Sequence, residues 1–232
     1  MTVAIAVIAK APVSNSVKTR LCPPLDPGAA ARVAAAMLRD VIDNCAGPNR
    51  EVMCVYAGEP AVLRACVGKG VPLRPQGPGG LAERLRRAQV TLAGEGFGGV
   101  VLMSGDSPTV EPALIDGVIS ALQRPSVDVV VGPASDGGYT LLASRLPTPS
   151  LFADIEMSTS RVLEQTLHQA RRSGLTAELM PTRHDIDTVD DYHSALARGE
   201  LAFAPRTRAA FDAALPAAEG SSRELAVPDP LD

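Results

Sequence analysis

Largely apolar stretches containing β-branched residues punctuate this chain, the first of them unbroken. They fall at residues 3–9 (VAIAVIA), 51–57 (EVMCVYA), 98–106 (GGVVLMSGD) and 127–134 (VDVVVGPA). Runs of this length without polar alternation predict strands buried on both faces. Between them the apolar positions recur at helical spacing. Residues 26–45 read as an Ala-rich helix, with Asp26 as its cap and Pro27 in its first turn. Further helices are predicted over 59–67, 79–93, 109–122 with Thr109 at the cap, 158–174 from a serine cap, and 188–199. Weaker strand signals lie at 71–76, interrupted by Pro72 and Pro75, at 139–144, and at 175–181 with 185–187. Strand and helix alternate throughout. The expected fold is therefore α/β, a three-layer sandwich with a mostly parallel central sheet. Beyond Leu201 the periodicity fades into Ala, Pro, Arg and Ser. The expected division is a catalytic domain over 1–203 and a loosely ordered Ala/Pro-rich tail over 204–232.

Composition narrows the function classes. Apolar residues make up 46% of the chain, enough for a sizeable core, but aromatics only 3%, so the core is built from Ala, Val, Leu and Ile and stacking on bases is disfavoured. A net charge of -4 argues against nucleic acid as a partner. Cys22, Cys45, Cys54 and Cys66 form no CxxC pair and read as free thiols in a reducing cytoplasm, a disulfide being the alternative. The apolar opening is too short to span a bilayer and no basic segment precedes it, so neither a membrane nor export is expected.

The chemistry is expected where ligands of open α/β sheets bind, past the carboxyl ends of the strands. Four motifs fall there. The first, after strand one, carries Lys10, Lys18 and Arg20, with no acid before Asp26. Mobile ammonium groups and a planar guanidinium suit two or three phosphates; a solvated surface loop is the plain alternative. No GxxxxGK[ST], GxGxxG or GxSxG is present, and His168, His184 and His193 lack zinc spacing. The second motif is 104–109 (SGDSPT). Asp106 projects from a strand end and suits a Mg²⁺ ion that also touches phosphate oxygens, or serves as a turn residue. The third, 133–140 (PASDGGYT), sets Asp136 beside Gly137 and Gly138, where main chain can approach a ligand or form a hairpin turn. In the fourth, 184–188 (HDIDT), Asp185 and Asp187 share one face of an extended chain and repel unless a cation lies between them. Alternatively, Asp187 or Thr188 caps the last helix, with Asp191 completing a capping box.

Taken in order, KAPVSNSVKTRLCPPL, GDSPT, PASDGGYTLL, LFADIEMSTSRVLEQT and HDIDTVDD resemble a bacterial family of nucleotide-diphospho-sugar-transferase-like proteins, formerly a domain of unknown function and often labelled glycosyltransferase. The likeness runs from about residue 3 to residue 196. The chain is also distantly similar to the guanylyltransferase that activates phospholactate or phosphoenolpyruvate in deazaflavin-cofactor synthesis. The resemblance implies a GT-A fold. It implies a nucleotide (NTP or nucleotide sugar) near Lys10, Ala11, Lys18, Arg20, Gly80, Ser104 and Asp106, with Lys18, Arg20 and Asp106 as catalytic groups. A small-molecule acceptor is expected near Asp136, Gly137, Gly138, Ser158 and Thr159, and Mg²⁺ (or Mn²⁺) on Asp106, Asp185 and Asp187. The chain departs from the family pattern in three places. Ser14, Asn15 and Ser16 stand where Pro-Gly-Arg is usual, Ser107 where Cys is usual, and Met157 where an aromatic is usual.

Two reactions fit these residues. In nucleotidyl transfer, an acceptor phosphate attacks the α-phosphorus of an NTP and pyrophosphate leaves; catalysis is alignment and neutralisation. In glycosyl transfer from a nucleotide sugar, a base near the acceptor hydroxyl is usual, and Asp136 or Asp154 could serve. The single acid in Gly105-Asp106-Ser107 and the triple cation favour nucleotidyl transfer. A noncatalytic nucleotide-binding protein is the third class, and homodimer formation is left open.

Overall fold

The computed structural model describes residues 2–215. Seven strands form one sheet: β1 (Val3–Lys10), β2 (Arg50–Ala57), β3 (Leu73–Pro75), β4 (Gly99–Ser104), β5 (Val129–Pro133), β6 (Tyr139–Ser144) and β7 (Ala177–Leu179). Their spatial order is β3-β2-β1-β4-β6-β5-β7. All neighbours run parallel except at β6, which is antiparallel to both β4 and β5. The helices are α1 (Pro27–Cys45), α2 (Pro60–Val67), α3 (Leu81–Gly94), α4 (Pro112–Leu122), α5 (Val162–Arg172), α6 (Val189–Ala197) and α7 (Pro205–Ala214).

Strand alternation sorts the core. Val3, Ile5 and Val7 of β1 face α1, α2 and α4, burying Leu38, Leu63 and Ile115 among others. Ala4 and Ala6 face the opposite way, toward Leu85 and Leu92 of α3 and Ala170 of α5. The expected three layers and mostly parallel sheet are thus present. A third cluster lies outside α1, where Ala29, Ala30, Val33 and Met37 meet Tyr192 of α6 and Phe211 of α7. Helix α1 is buried on both flanks, which accounts for its alanines: small side chains let two layers approach one helix closely.

The tail expectation needs correction. Residues 205–214 are helical, and the stripe Ala204, Thr207 and Phe211 is fully buried. Phe211 stacks on Tyr192 at 3.9 Å between ring centroids. Asp40, buried in α1, accepts from the Thr207 amide at 2.7 Å and its hydroxyl at 2.8 Å. The boundary expected at 203/204 therefore cuts through a packed cluster. So narrow a stripe, with one threonine in it, leaves little periodicity to read. The remainder of the expected tail, 216–232, lies outside the described residues.

Two helix starts also differ from expectation. Helix α4 begins at Pro112 rather than near Thr109, because proline suits a first turn that needs no N–H. Helix α5 begins at Val162, and Ser158 sits before it with a left-handed φ of 64°. The stretch 185–187 joins no strand; a single bridge, Ala134 to Arg183, ties its approach to the sheet. The four cysteines are free thiols, and burial pushes Cys45 and Cys54 up to about 12. Among the described residues no helix is long and apolar enough to cross a membrane.

If α7 is integral to the fold, Phe211→Ala should cost about 3–5 kcal/mol of stability by opening a cavity against Tyr192. Urea denaturation checks this, and an unchanged midpoint would make α7 an appendage.

Candidate functional site

Strands β1 and β4 are parallel neighbours whose register pairs Ile8 with Ser104. The loop after β1 and the turn after β4 therefore leave the sheet side by side. Gly105 makes this possible: its amide donates to the Ile8 carbonyl at 3.0 Å, and a Cβ at that position would lie 2.8 Å from the same oxygen. The late segment is fastened to this edge from two directions. The Arg183 amide donates to the Pro133 carbonyl, and the Ser135 amide to the Arg183 carbonyl, each at 3.0 Å. The Thr109 hydroxyl donates to the His184 carbonyl at 2.8 Å, and Arg183 pairs with Glu111. Asp185 and Asp187 are so delivered to the vicinity of Asp106.

Lys18 is the centre of the constellation. Its side chain is 6% exposed, and its Nζ lies 2.9 Å from Asp106 Oδ2 and 2.8 Å from Asp187 Oδ1. Arg20 Nη1 lies 3.0 Å from Asp187 Oδ2. The Ser104 hydroxyl donates to Asp106 Oδ1 at 2.5 Å, and the buried Ser107 hydroxyl to Asp185 Oδ1 at 2.9 Å. Lys10 donates to the Ser16 carbonyl at 2.9 Å and closes the loop on itself. Lys18 adopts φ 45° and ψ 39°, a left-handed conformation that a non-glycine residue holds only when its surroundings enforce it.

The charges shape one another. Burial alone would lower the Lys18 ammonium, but Asp106 and Asp187 overcome it and hold it above the ordinary lysine range. Lys18 in turn holds the Asp106 carboxyl below its usual value. Asp185 goes the other way: burial first, then the negative charge of Asp106, push it up to about 6, against the Ser107 hydrogen bond. Helix α6 is capped by Thr188, whose side chain accepts from the Asp191 amide while Asp191 completes the box. The Asp187 carboxylate is left for Lys18 and Arg20.

Two clefts meet here. One, of about 320 Å³, is lined by Lys10, Ser16 to Arg20, Ala34 and Asp106. The other, of about 500 Å³, is lined by Leu81 and Leu85 of α3, Asp136, Gly138, Tyr139 and Ser158 to Ser160. Ile8, Arg20 and Asp187 border both. The structure thus brings together Lys10, Lys18, Arg20, Ser104, Asp106, Asp136, Gly138, Ser158, Thr159 and Asp187. Other expected residues stand apart. Ala11 is buried, its amide bound to the Ala57 carbonyl at 2.8 Å. Gly80 is the N-cap of α3, one residue before the cleft wall. Gly137 has φ 90°, an added Cβ would lie 2.1 Å from the Ser160 carbonyl oxygen, and its own carbonyl accepts from the Leu163 amide; it seats the start of α5. Asp185 sits behind Ser107 and lines neither cleft. Of the two bases considered, Asp136 reaches a cleft and exposed Asp154 does not. Leu81 and Leu85 carry no charge and lie in no motif, and Tyr139 and Ser160 sit inside quoted motifs without being expected to line the site.

Among the described residues no group of three His, Cys, Asp or Glu gathers as a ready metal cage. The fit of a divalent cation is carried instead by the Asp106–Asp185 pair. The pair supplies hard oxygen donors; Asp185 is pushed upward first by burial and then by the negative charge of Asp106, and a cation would relieve the second. Mg²⁺ typically takes one or two carboxylates and completes its shell with water and phosphate.

Residues 38–159 match the model of a family described as uncharacterized protein conserved in bacteria (DUF2064). The chain belongs to this family. Its fold is similar to that of a Desulfovibrio desulfuricans G20 protein provisionally named a nucleotide-diphospho-sugar transferase, at 26% identity and a TM-score of 0.80, covering 92% of this chain and 98% of that one. It is also similar to CMP:2-keto-3-deoxy-manno-octonic acid synthetase complexed with CTP (11% identity, TM-score 0.56, 88% and 99% covered). A third likeness is to Rv0371c of Mycobacterium tuberculosis H37Rv in complex with manganese (22% identity, TM-score 0.52, 85% and 99% covered). No curated protein matches the chain. The expected nucleotide-sugar-transferase-like fold is borne out.

In metal-free protein, Lys18→Met should lower unfolding free energy at neutral pH by about 1–2 kcal/mol, modest because Asp106 and Asp187 are partly hydrated. Asp106 is depressed from 3.8, so its share of that stability is present above 3.8 and is lost as pH falls through the folded value. The gap between wild type and variant should narrow below about pH 4 in urea titrations. A gap independent of pH would assign the stabilisation to packing of the lysine stem.

Proposed function

We propose that this protein is a transferase that joins a nucleoside monophosphate from an NTP to a small phosphorylated acceptor, with release of pyrophosphate. The observation that carries this reading is the buried Lys18 ammonium, held between Asp106 and Asp187 where a cationic cleft meets a hydroxyl-lined one. Solved structures of similar fold support nucleotide chemistry: the octonic acid synthetase binds CTP, and another is a nucleotidyl transferase from Methanothermobacter thermautotroptrophicus.

An acceptor phosphate oxygen attacks the α-phosphorus and forms a new P–O bond. The bond to the bridging oxygen breaks, and its electron pair departs with pyrophosphate. Lys18 and Arg20 exchange Asp187 for phosphate oxygens and neutralise the leaving group. Lys10 shapes the loop and adds a third positive charge. Ser104 and Ser107 hold the carboxylates of Asp106 and Asp185 in orientation. The Ser158 to Ser160 hydroxyls orient the acceptor in the second cleft. No general base is required, because the phosphate nucleophile is already ionised. Mg²⁺ or Mn²⁺ would be held by Asp106 and Asp185, and when bound it supplies charge neutralisation and orientation of the phosphoryl oxygens.

A second reading, glycosyl transfer from a nucleotide sugar, is favoured by Asp136, an acid on the wall of the larger cleft whose Oδ1 accepts from the Gly138 amide at 2.8 Å. Pyrophosphate release separates the two. With each NTP, Mg²⁺ and a panel of phosphorylated acceptors, wild type should release pyrophosphate, and Asp106→Asn should reduce turnover by about 10²-fold or more. Acceptor-dependent release of a nucleoside diphosphate from nucleotide sugars, without pyrophosphate from any NTP, would establish the second reading. Nucleotide binding that Asp106→Asn leaves intact, with no turnover in either protein, would mark a noncatalytic binder.

A further inference from the structure

We propose that the site admits its divalent cation only together with a polyphosphate, because Lys18 holds the cation's place until phosphate oxygens draw it off. The inference rests on the functional reading above and specifies the form in which its ligand enters.

Both oxygens of Asp106 are engaged, Oδ1 by the Ser104 hydroxyl at 2.5 Å and Oδ2 by the Lys18 ammonium at 2.9 Å. Both oxygens of Asp187 are engaged as well, by Lys18 at 2.8 Å and Arg20 at 3.0 Å. Asp185 Oδ1 receives the Ser107 hydroxyl. A free divalent cation must therefore displace an ammonium that is already in place and almost wholly shielded from water. Displacement by metal alone would leave that buried ammonium with Asp187 as its one carboxylate, shared with Arg20 and beside a new divalent charge, which is expensive.

A polyphosphate changes the balance. Its oxygens accept from Lys18 and Arg20, so the ammonium leaves Asp106 without losing a partner. The same phosphates complete the cation's oxygen shell, which two carboxylates alone do not fill. Cation and polyphosphate then bind with positive linkage, and by reciprocity each strengthens the other by the same factor. The left-handed backbone of Lys18 fits this exchange. The ion pairs to Asp106 and Asp187 help hold a sparsely populated conformation, and transferring them to a ligand frees the loop to relax.

The test measures Mn²⁺ binding by electron paramagnetic resonance, without nucleotide, to full-length wild type, Lys18→Met and Arg20→Met. Circular dichroism and urea midpoints establish folding, and Lys18→Gln replaces the methionine variant if that one does not fold. Both substitutions remove one positive charge, but only Lys18 touches Asp106. The expected result is weak Mn²⁺ binding by wild type, binding about tenfold tighter or more for the Lys18 variant, and a change under about threefold for Arg20→Met. A Lys18 variant no tighter than Arg20→Met overturns the proposal and leaves the functional reading intact. A second arm follows binding of a fluorescent NTP to wild type with and without Mg²⁺, where at least about tenfold tightening by Mg²⁺ is expected. Equal NTP affinity in both conditions also overturns the proposal. No NTP binding in either condition overturns the functional reading, and with it the polyphosphate half of the proposal.

Discussion

A single ammonium shared by two carboxylates ties together three parts of the chain that are remote in sequence. Lys18 belongs to the loop after β1, Asp106 to the turn after β4, and Asp187 to the segment before α6. Each partner would be a liability alone. The lysine would be a desolvated charge, and the acids would repel one another beside Asp185. Together they form a paired set in which the ammonium offsets one of the two negative charges and contacts both.

The sheet places that set. Adjacent parallel strands emerge at one edge, the Gly105 turn keeps the β4 exit against β1, and Thr109, Glu111 and Arg183 fasten the late segment to the same corner. Behind it α1, covered on one side by the sheet and on the other by α6 and α7, gives the cationic loop a rigid back wall: Ala34 and Leu38 of α1 line the smaller cleft. The binding elements are loops, but each is anchored within a few residues of a buried strand or helix.

Much of this was legible in the residues. The buried strands β1, β4 and β5 announce themselves as apolar runs, and the acid-free loop and Asp106 follow directly from strand ends. Thr188 with Asp191 carries a capping-box spacing that local chemistry alone determines. What was not legible depended on partners distant in sequence. Helix α7 shows only a thin stripe, because Tyr192 and Asp40, far away along the chain, supply its burial and hydrogen bonds. Asp187 reads as a metal ligand beside Asp185, and nothing in the sequence signals that its carboxylate also meets Lys18 and Arg20. Gly137 reads as a ligand-facing glycine, yet its missing side chain accommodates the start of α5. Ser107 lies in the second motif, but its role as a donor exists only because Asp185 arrives from 78 positions away.

The contact between Lys18 and Asp187 closes a loop across 169 positions, most of the described chain. Such a closure is entropically costly and cannot precede the sheet that brings its ends together. On a ribosome the amino-terminal cations emerge long before their carboxylate partner exists. The pocket is therefore among the last features a nascent molecule acquires, and a polypeptide lacking the late segment would keep Asp106 for Lys18 but lose the carboxylate that holds Arg20.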